Sequence, residues 1–360
     1  MLKRAICVAA IGALALGAAA CSSSGGSGGT SGGSTSLQSV SMMVGGIDKQ
    51  IYLPYQLAQS LGFYKKYGVK MTLSTESAGV GAEDAMASGN VDMAGAWYIH
   101  TIDFQSKGKD VIDLVQLSGA PGEREMCSTN SGVHSAADFK GKTLGVTDLG
   151  SGTDELTQFL AAQKGISRKQ YNTQAVGAGA TAIAAIQRNT AQCVMTTQPT
   201  VGALESKHLA YSALDLATTS GATAALGGAW PAAGVLANAS WVNSHKKAAQ
   251  GVVDALVATM HWIATHSAAD IANALPQQFV SNATITKAQY IAGLAADKGQ
   301  FLPDGIMPAG GPKTIYAMEK LIGVDVSKVT LANTFTNSYA VAANKLEGFT
   351  TTTTPAGPTG

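Results

Sequence analysis

Charge is scarce in this chain of 360 residues. Lysine, arginine, aspartate and glutamate make up 13% of it, and the formal net charge is +1. Four arginines occur, and no basic run is interleaved with aromatics, which excludes the electrostatic footprint of a nucleic-acid binder. Beyond residue 21 no apolar stretch approaches the ~20 residues of a membrane-spanning helix. No Walker-type loop is present, because Gly150-Ser151-Gly152-Thr153 lacks the lysine such a loop requires. No His, Cys or carboxylate spacing matches a zinc site, so neither a metal nor a cofactor is expected. The cysteines number four: Cys7, Cys21, Cys127 and Cys193.

What is present begins with a leader. Lys3 and Arg4 precede an apolar run over residues 5–20, broken by Gly12 and Gly17, and Ala18-Ala19-Ala20-Cys21 follows. Charge, apolar core and small residues in that order are the layout of a signal peptide. A cysteine directly after small residues resembles the bacterial lipobox, in which lipid is attached to the cysteine. Ala18 departs from that pattern, which usually has Leu there. An extracytoplasmic protein held to the membrane by lipid on Cys21 is expected; ordinary cleavage beside an incidental cysteine is the alternative. Residues 22–36 are almost all Ser, Gly and Thr, a flexible linker with a root-mean-square span of roughly 20 Å. Residues 347–360, with a threonine run and two prolines, read as a disordered tail.

The remaining stretch of about 310 residues exceeds one typical core. It alternates short apolar strands with helices, as α/β folds do. Strands are expected at 40–44, 69–73, 91–94 and 111–117. A helix starts at Pro54 and stops at Gly62, and a shorter one covers 82–88. A second pass begins near Arg124, with strands at 143–146 and 192–196 and helices at 154–164 and 181–188. Residues 85–93 resemble residues 185–193 in pattern, one hundred positions on. Either the two halves share one plan, or any two αβ units look this much alike. Residues 246–266 form a long helix whose apolar face, with Val252, Val253, Leu256, Met260 and Ile263, is a core face.

Tyr52-Leu53-Pro54-Tyr55-Gln56-Leu57-Ala58, followed by Gly62-Phe63-Tyr64-Lys65-Lys66-Tyr67-Gly68-Val69, resembles the opening of ABC-transporter periplasmic substrate-binding proteins of the nitrate, sulfonate and taurine group. Ala87-Ser88-Gly89-Asn90-Val91-Asp92 and Ala137-Asp138-Phe139-Lys140-Gly141-Lys142-Thr143-Leu144-Gly145-Val146 are similar to strand entries of that group, and Trp241-Val242-Asn243-Ser244-His245 also fits. The resemblance covers residues 37–270 well. It implies two αβ lobes joined by two crossing strands, the type II periplasmic binding protein fold. Lobe one is expected over 37–119 plus 226–346, and lobe two, with the hinge crossings, over 120–225. The crossings fall at 120–127 and 218–229. The resemblance further implies a small-molecule ligand, a permease with its ATPase as partner, and a monomer without enzymatic activity. If the family's sheet order holds, Cys127 and Cys193 lie on neighbouring strands, either bridged or as free thiols.

Ligands of open α/β sheets sit beyond the carboxyl ends of strands. Ser151, Gly152 and Thr153 follow a strand and open a helix, where free N–H groups attract an anion; a plain helix cap is the competing role. Ser77, Gly79, Trp97 and Tyr98 occupy corresponding places in lobe one, and Gln198 in lobe two. Trp97 either closes over a ligand or packs in the lobe core. Gln50 reaches from the first loop, while Asp48 and Lys49 read as solvated rim charges. Trp230 lines the cleft or packs the hinge. Arg124 clamps a carboxylate or sulfonate, or pairs with Glu123 or Glu125. The expected ligand is a small organic anion with an apolar or ring portion. A ligand-sensing lipoprotein and a pyrimidine-synthase-like enzyme are the alternatives; the iron-handling cysteine and histidine cluster of that enzyme family has no counterpart here.

Overall fold

In a computed structural model, residues 36–357 are described. The leader, Cys21 and residues 22–35 lie outside the described residues. Among the described residues ten strands form two five-stranded sheets. They are β1 (Gln38–Val44), β2 (Val69–Thr75), β3 (Met93–Trp97), β4 (Val111–Gln116), β5 (Glu123–Ser128), β6 (Thr143–Val146), β7 (Asn172–Ala175), β8 (Cys193–Thr197), β9 (Ala210–Asp215) and β10 (Ala233–Asn238). The first sheet has the order β2-β1-β3-β10-β4 and the second β7-β6-β8-β5-β9.

The two sheets repeat one plan. In each, three parallel strands are followed by one strand running antiparallel to them, which is β10 in the first sheet and β5 in the second. Each of these antiparallel strands enters its sheet directly after the chain has crossed from the other lobe. The one-hundred-position match extends to individual hydrogen bonds. The N–H of Asn90 bonds the Ala85 carbonyl, and the N–H of Thr190 bonds the Ala185 carbonyl. Asp92 Oδ2 accepts from the N–H of Ser41, and Gln192 Oε1 accepts from the N–H of Thr143, both at 2.8 Å. Gly89 and Asn189 hold the same left-handed turn, at φ 79° and 53°. Asparagine is among the few side-chain-bearing residues that tolerate that region.

Local signals account for the helices. Pro54 sits in the first turn of the helix Leu53–Ser60, where its missing N–H has no intrahelical partner to lose. The long helix Lys246–Thr265 buries Val252, Val253, Leu256, Met260 and Ile263 as its spacing predicts. The first crossing occupies residues 117–122, earlier than expected, because β5 already belongs to the second sheet from Glu123. The second runs over residues 216–232 and includes the helix Thr219–Leu226.

Two later elements bridge the lobes. The helix Gly311–Ile322 packs on Gly152–Gln163, and Lys287–Asp297 packs on Thr200–Ser206. The expected tail also differs. Asp304, 1% exposed, accepts from the N–H groups of Thr352 and Thr353 at 2.7 Å each. The N–H of Ala356 donates to the Met307 carbonyl, and that of Ala309 to the Thr354 carbonyl. A buried carboxylate and two backbone pairings thus order residues that composition alone reads as disordered.

Candidate functional site

The carboxyl ends of β1, β2 and β3 from the first sheet and of β6 from the second face one gap. The loops beyond them enclose a cavity of ≈ 20 Å³ walled by Lys49, Gly79, Trp97, His100, Glu123 and Gly152, among others. That volume holds about one water molecule. Outward, the gap widens into a groove of ≈ 580 Å³, with Ser77 on one bank and Thr147, Asp148 and Arg188 on the other.

Two helices begin at the cavity, one from each lobe: Gly79–Ala87 and Gly152–Gln163. The first N–H groups of a helix have no intrahelical acceptor, and its start carries a partial positive charge. Ser151 is the N-cap of the second helix, yet its hydroxyl makes no capping bond. It joins a triangle with Thr147 and Thr153, at 3.0 and 2.8 Å, and Thr147 and Thr153 stand 2.8 Å apart. Thr153 also accepts from the Thr147 N–H at 2.9 Å. Side chains therefore hold the loop, and the helix start faces the cavity.

Gly152 is required by its neighbour. A β-carbon there would overlap the Trp97 indole, with Cδ2 at 2.8 Å and Cζ3 at 2.9 Å. The indole of lobe one thus lies directly on the helix start of lobe two. Behind it stands Trp230, fully buried, edge-on to Trp97 with ring centroids 5.2 Å apart.

Lys49 is not a solvated rim charge. It is buried, and its Nζ donates to the carbonyls of Gly45 at 2.8 Å and Ser77 at 3.0 Å. Those carbonyls replace water around the ammonium and tie the loop after β1 to the loop after β2. Burial lowers the Lys49 pKa, against the pull of Glu123. Burial likewise pushes Glu123 up to about 8, with Lys49 and Arg124 opposing the rise. His100 is also buried, with Nδ1 3.0 Å from Asp103 Oδ2. Burial alone would lower its pKa, but the Glu83 and Asp103 carboxylates raise it to about 9.

Gly79, Trp97, Ser151, Gly152 and Thr153 therefore line one cavity, and Ser77 lies at its outer groove. Five other expected residues lie elsewhere. Tyr98 follows Trp97 and points the opposite way, into the lobe interior, where its hydroxyl meets Thr334 Oγ1 at 2.6 Å. Arg124 makes a two-pronged bond to Asp297, both contacts 2.8 Å, and its Nε meets Asp215 at 3.1 Å. The strand's alternation puts it on the face opposite Glu123 and Glu125, so it pairs with neither and has no free edge for a ligand. Gln50 donates to the Tyr290 carbonyl at 2.8 Å. Gln198 accepts from the Gly202 N–H at 3.1 Å and packs on Gly293. These two glutamines secure the lobe joint. Trp230 supports Trp97 without lining the cavity.

The sequence reading missed Tyr52, His100, Glu123 and Thr147 as lining residues. Thr147 directly follows β6 and was open to the same strand-end rule that found Ser151. His100 lies in the first turn of the helix Ile99–Ser106, which begins just past the end of β3. Cys127 and Cys193 face each other across β5 and β8 and form a disulfide.

Residues 51–269 match the family described as NMT1/THI5 like. This chain belongs to the NMT1/THI5-like family. A solved protein from Bordetella bronchiseptica RB50 is 28% identical with a TM-score of 0.81, over 86% of this chain and 98% of that one. The alkanesulfonate-binding protein SsuA from Xanthomonas axonopodis pv. citri, bound to MOPS, has 17% identity and a TM-score of 0.62, over 81% and 94%. The periplasmic nitrate-binding protein NrtA from Synechocystis PCC 6803 has 13% identity and a TM-score of 0.64, over 86% and 89%. This NMT1/THI5-like chain accordingly has the periplasmic binding protein fold. A 4-amino-5-hydroxymethyl-2-methylpyrimidine phosphate synthase from Legionella pneumophila is 26% identical over 148 residues, 41% of this chain and 46% of that enzyme. The match thus spans less than half of that relative's length. Among the described residues, no helix is long and apolar enough to cross a membrane.

Proposed function

We propose that this protein is the extracytoplasmic solute-binding component of an ABC uptake transporter. It captures a small organic anion between its lobes and delivers it to a membrane permease and its ATPase. The observation that carries this reading is the convergence of two helix starts, one from each lobe, on a single cleft. Their partial positive charges and the hydroxyls of Thr147, Ser151 and Thr153 suit a carboxylate or sulfonate head. Trp97 and the outer groove suit an apolar or ring portion. The cavity between the closed lobes is too small for such a solute, so binding requires the lobes to part and close again on it. The protein acts as a monomer, and a lipid on Cys21 keeps it beside the permease.

A thermal-shift screen over sulfonates, aromatic carboxylates and pyrimidines tests this. A true ligand at a hundredfold excess over its Kd stabilises the fold by about 2.7 kcal/mol. Stabilisation by sugars or organic cations alone would overturn the anion assignment. The Legionella relative favours one second reading, an enzyme acting on a pyrimidine precursor. Turnover of any stabilising compound would favour it, and saturable binding without turnover favours transport.

A further inference from the structure

At the floor of the cleft lies a cluster that no function above uses. His100 and Asp103 stand one turn apart on the helix Ile99–Ser106 of lobe one, and Glu155 comes from the helix Gly152–Gln163 of lobe two. His100 Nδ1 is 3.0 Å from Asp103 Oδ2 and 3.9 Å from Glu155 Oε2. One ligand atom from each of the three residues fits within a 4.8 Å spread, and all three residues are buried. We propose that His100 Nδ1, Asp103 and Glu155 form a binding site for a divalent transition-metal cation, with zinc as the best-suited ion, and that the bound ion ties the two lobes together.

Three independent features support it. Donor atoms about 2.0–2.2 Å from one tetrahedral zinc ion stand roughly 3.3 Å apart, which falls between the two distances seen here. A carboxylate also stands near the second ring nitrogen: Nε2 of His100 is 3.6 Å from Glu83 Oε1, just beyond hydrogen-bond distance. A carboxylate beside the far nitrogen is the usual outer partner of a metal-bound histidine. Finally, unpartnered carboxyl oxygens surround the cluster. Glu155 Oε2, Glu83 Oε1 and both oxygens of Glu319 are buried without a hydrogen-bond partner. Glu319 is fully buried, on a helix that packs against both ligand-bearing helices, and its charge acts on His100 and Glu155.

The charges of the site point the same way. Four carboxyl groups (Glu83, Asp103, Glu155 and Glu319) share one imidazole, with the exposed Lys107 as the other cation acting on them. A dication bound there would supply positive charge that the buried carboxyl groups otherwise lack. Cys127 and Cys193 do not compete, because they are joined to each other. The inference does not depend on which solute the cleft takes.

The test uses the whole exported chain, stripped with EDTA and desalted. Zn²⁺ and Mn²⁺ are titrated separately by calorimetry, and retained metal is counted by mass spectrometry. The expected result is about one tightly held zinc per chain. Asp103→Asn and Glu155→Gln should each weaken zinc at least about tenfold, whereas the exposed Glu205→Gln leaves it unchanged. Circular dichroism confirms that the variants fold, and the wild-type stoichiometry stands without them. Retention of no metal by the wild-type protein overturns the proposal. So does zinc affinity that is equal in wild type and Glu155→Gln, which would assign the ion to surface histidines.

Discussion

Replacing Gly152 by alanine adds one methyl group at the boundary between the lobes, and its effect can be worked out in sign as well as size. In a helix interior alanine is better than glycine by about 0.5–1 kcal/mol, and the first turn shares part of that gain. Here the new carbon would sit 2.8 Å from Trp97 Cδ2, where ordinary contact begins at 3.4 Å. Trp97 Cε3 would lie closer still, so the indole must retreat by more than the 0.6 Å (3.4 − 2.8) that Cδ2 alone requires. It cannot do so freely, because Trp230 is packed edge-on behind it and is fully buried. Overpacking of this kind costs about 1–3 kcal/mol. Gly152→Ala should therefore be destabilising by about 1–2 kcal/mol, once the helix gain is set against the clash. In a Trp97→Ala background the clash is gone, and the same substitution should be neutral or stabilising. Urea unfolding of the four proteins gives a double-mutant cycle with an expected coupling of about 2 kcal/mol. Small-angle scattering adds a second readout, since lobes forced apart enlarge the particle. Additivity within about 0.5 kcal/mol, with unchanged scattering, would refute the contact.

Other consequences are equally open to measurement. Asp297→Ala strands Arg124 with the half-exposed Asp215 and should cost about 3–5 kcal/mol in urea unfolding; a loss under 1 kcal/mol would show that the pair is not holding the joint. Replacing both Cys127 and Cys193 by serine frees a loop with a sequence separation of 66. The chain-entropy model puts that loss at about 4 kcal/mol, read as a lower urea midpoint. Glu125 is fully buried with both carboxyl oxygens unpartnered, and burial, helped by Glu123, pushes it to about 8. Its raised pKa favours the protonated fold, so its contribution is fully present below about 4.5 and is lost as pH rises through about 8, by about 1.4 kcal/mol per unit. Glu125→Gln should flatten that slope and be the more stable protein at pH 8.5, and equal slopes in the two proteins would rule the group out.

Much of the fold could be read from local order. Strand and helix positions came within a few residues, because Pro54, Gly62 and Gly165 mark ends and apolar spacing marks faces. The one-hundred-residue match between residues 85–93 and 185–193 proved to be a repeat down to its hydrogen bonds. Half of the site was legible for a related reason. Gly79, Ser151, Gly152 and Thr153 follow strands and Trp97 ends one, and the strand-end rule needs only sequence order. Arg124 and Tyr98 were misassigned because strand parity, not position along the chain, decides which way a side chain points. Lys49 was misread because only the folded loops bring the Gly45 and Ser77 carbonyls to its ammonium.

The two-lobed plan was implied by the resemblance of its motifs to a family; by itself, the amino-acid order determined the alternation of strands and helices and the helix start at Gly152. Each depends on spacing within about twenty residues, where backbone preference and periodicity act. Tertiary structure alone decided which charges are buried and against what. The pairing of Arg124 with Asp297, the bonds of Asp304 to Thr352 and Thr353 and the meeting of His100 with Glu155 join segments far apart in the chain. No local pattern encodes them, because burial and electrostatic partnership exist only once the two lobes have been brought together.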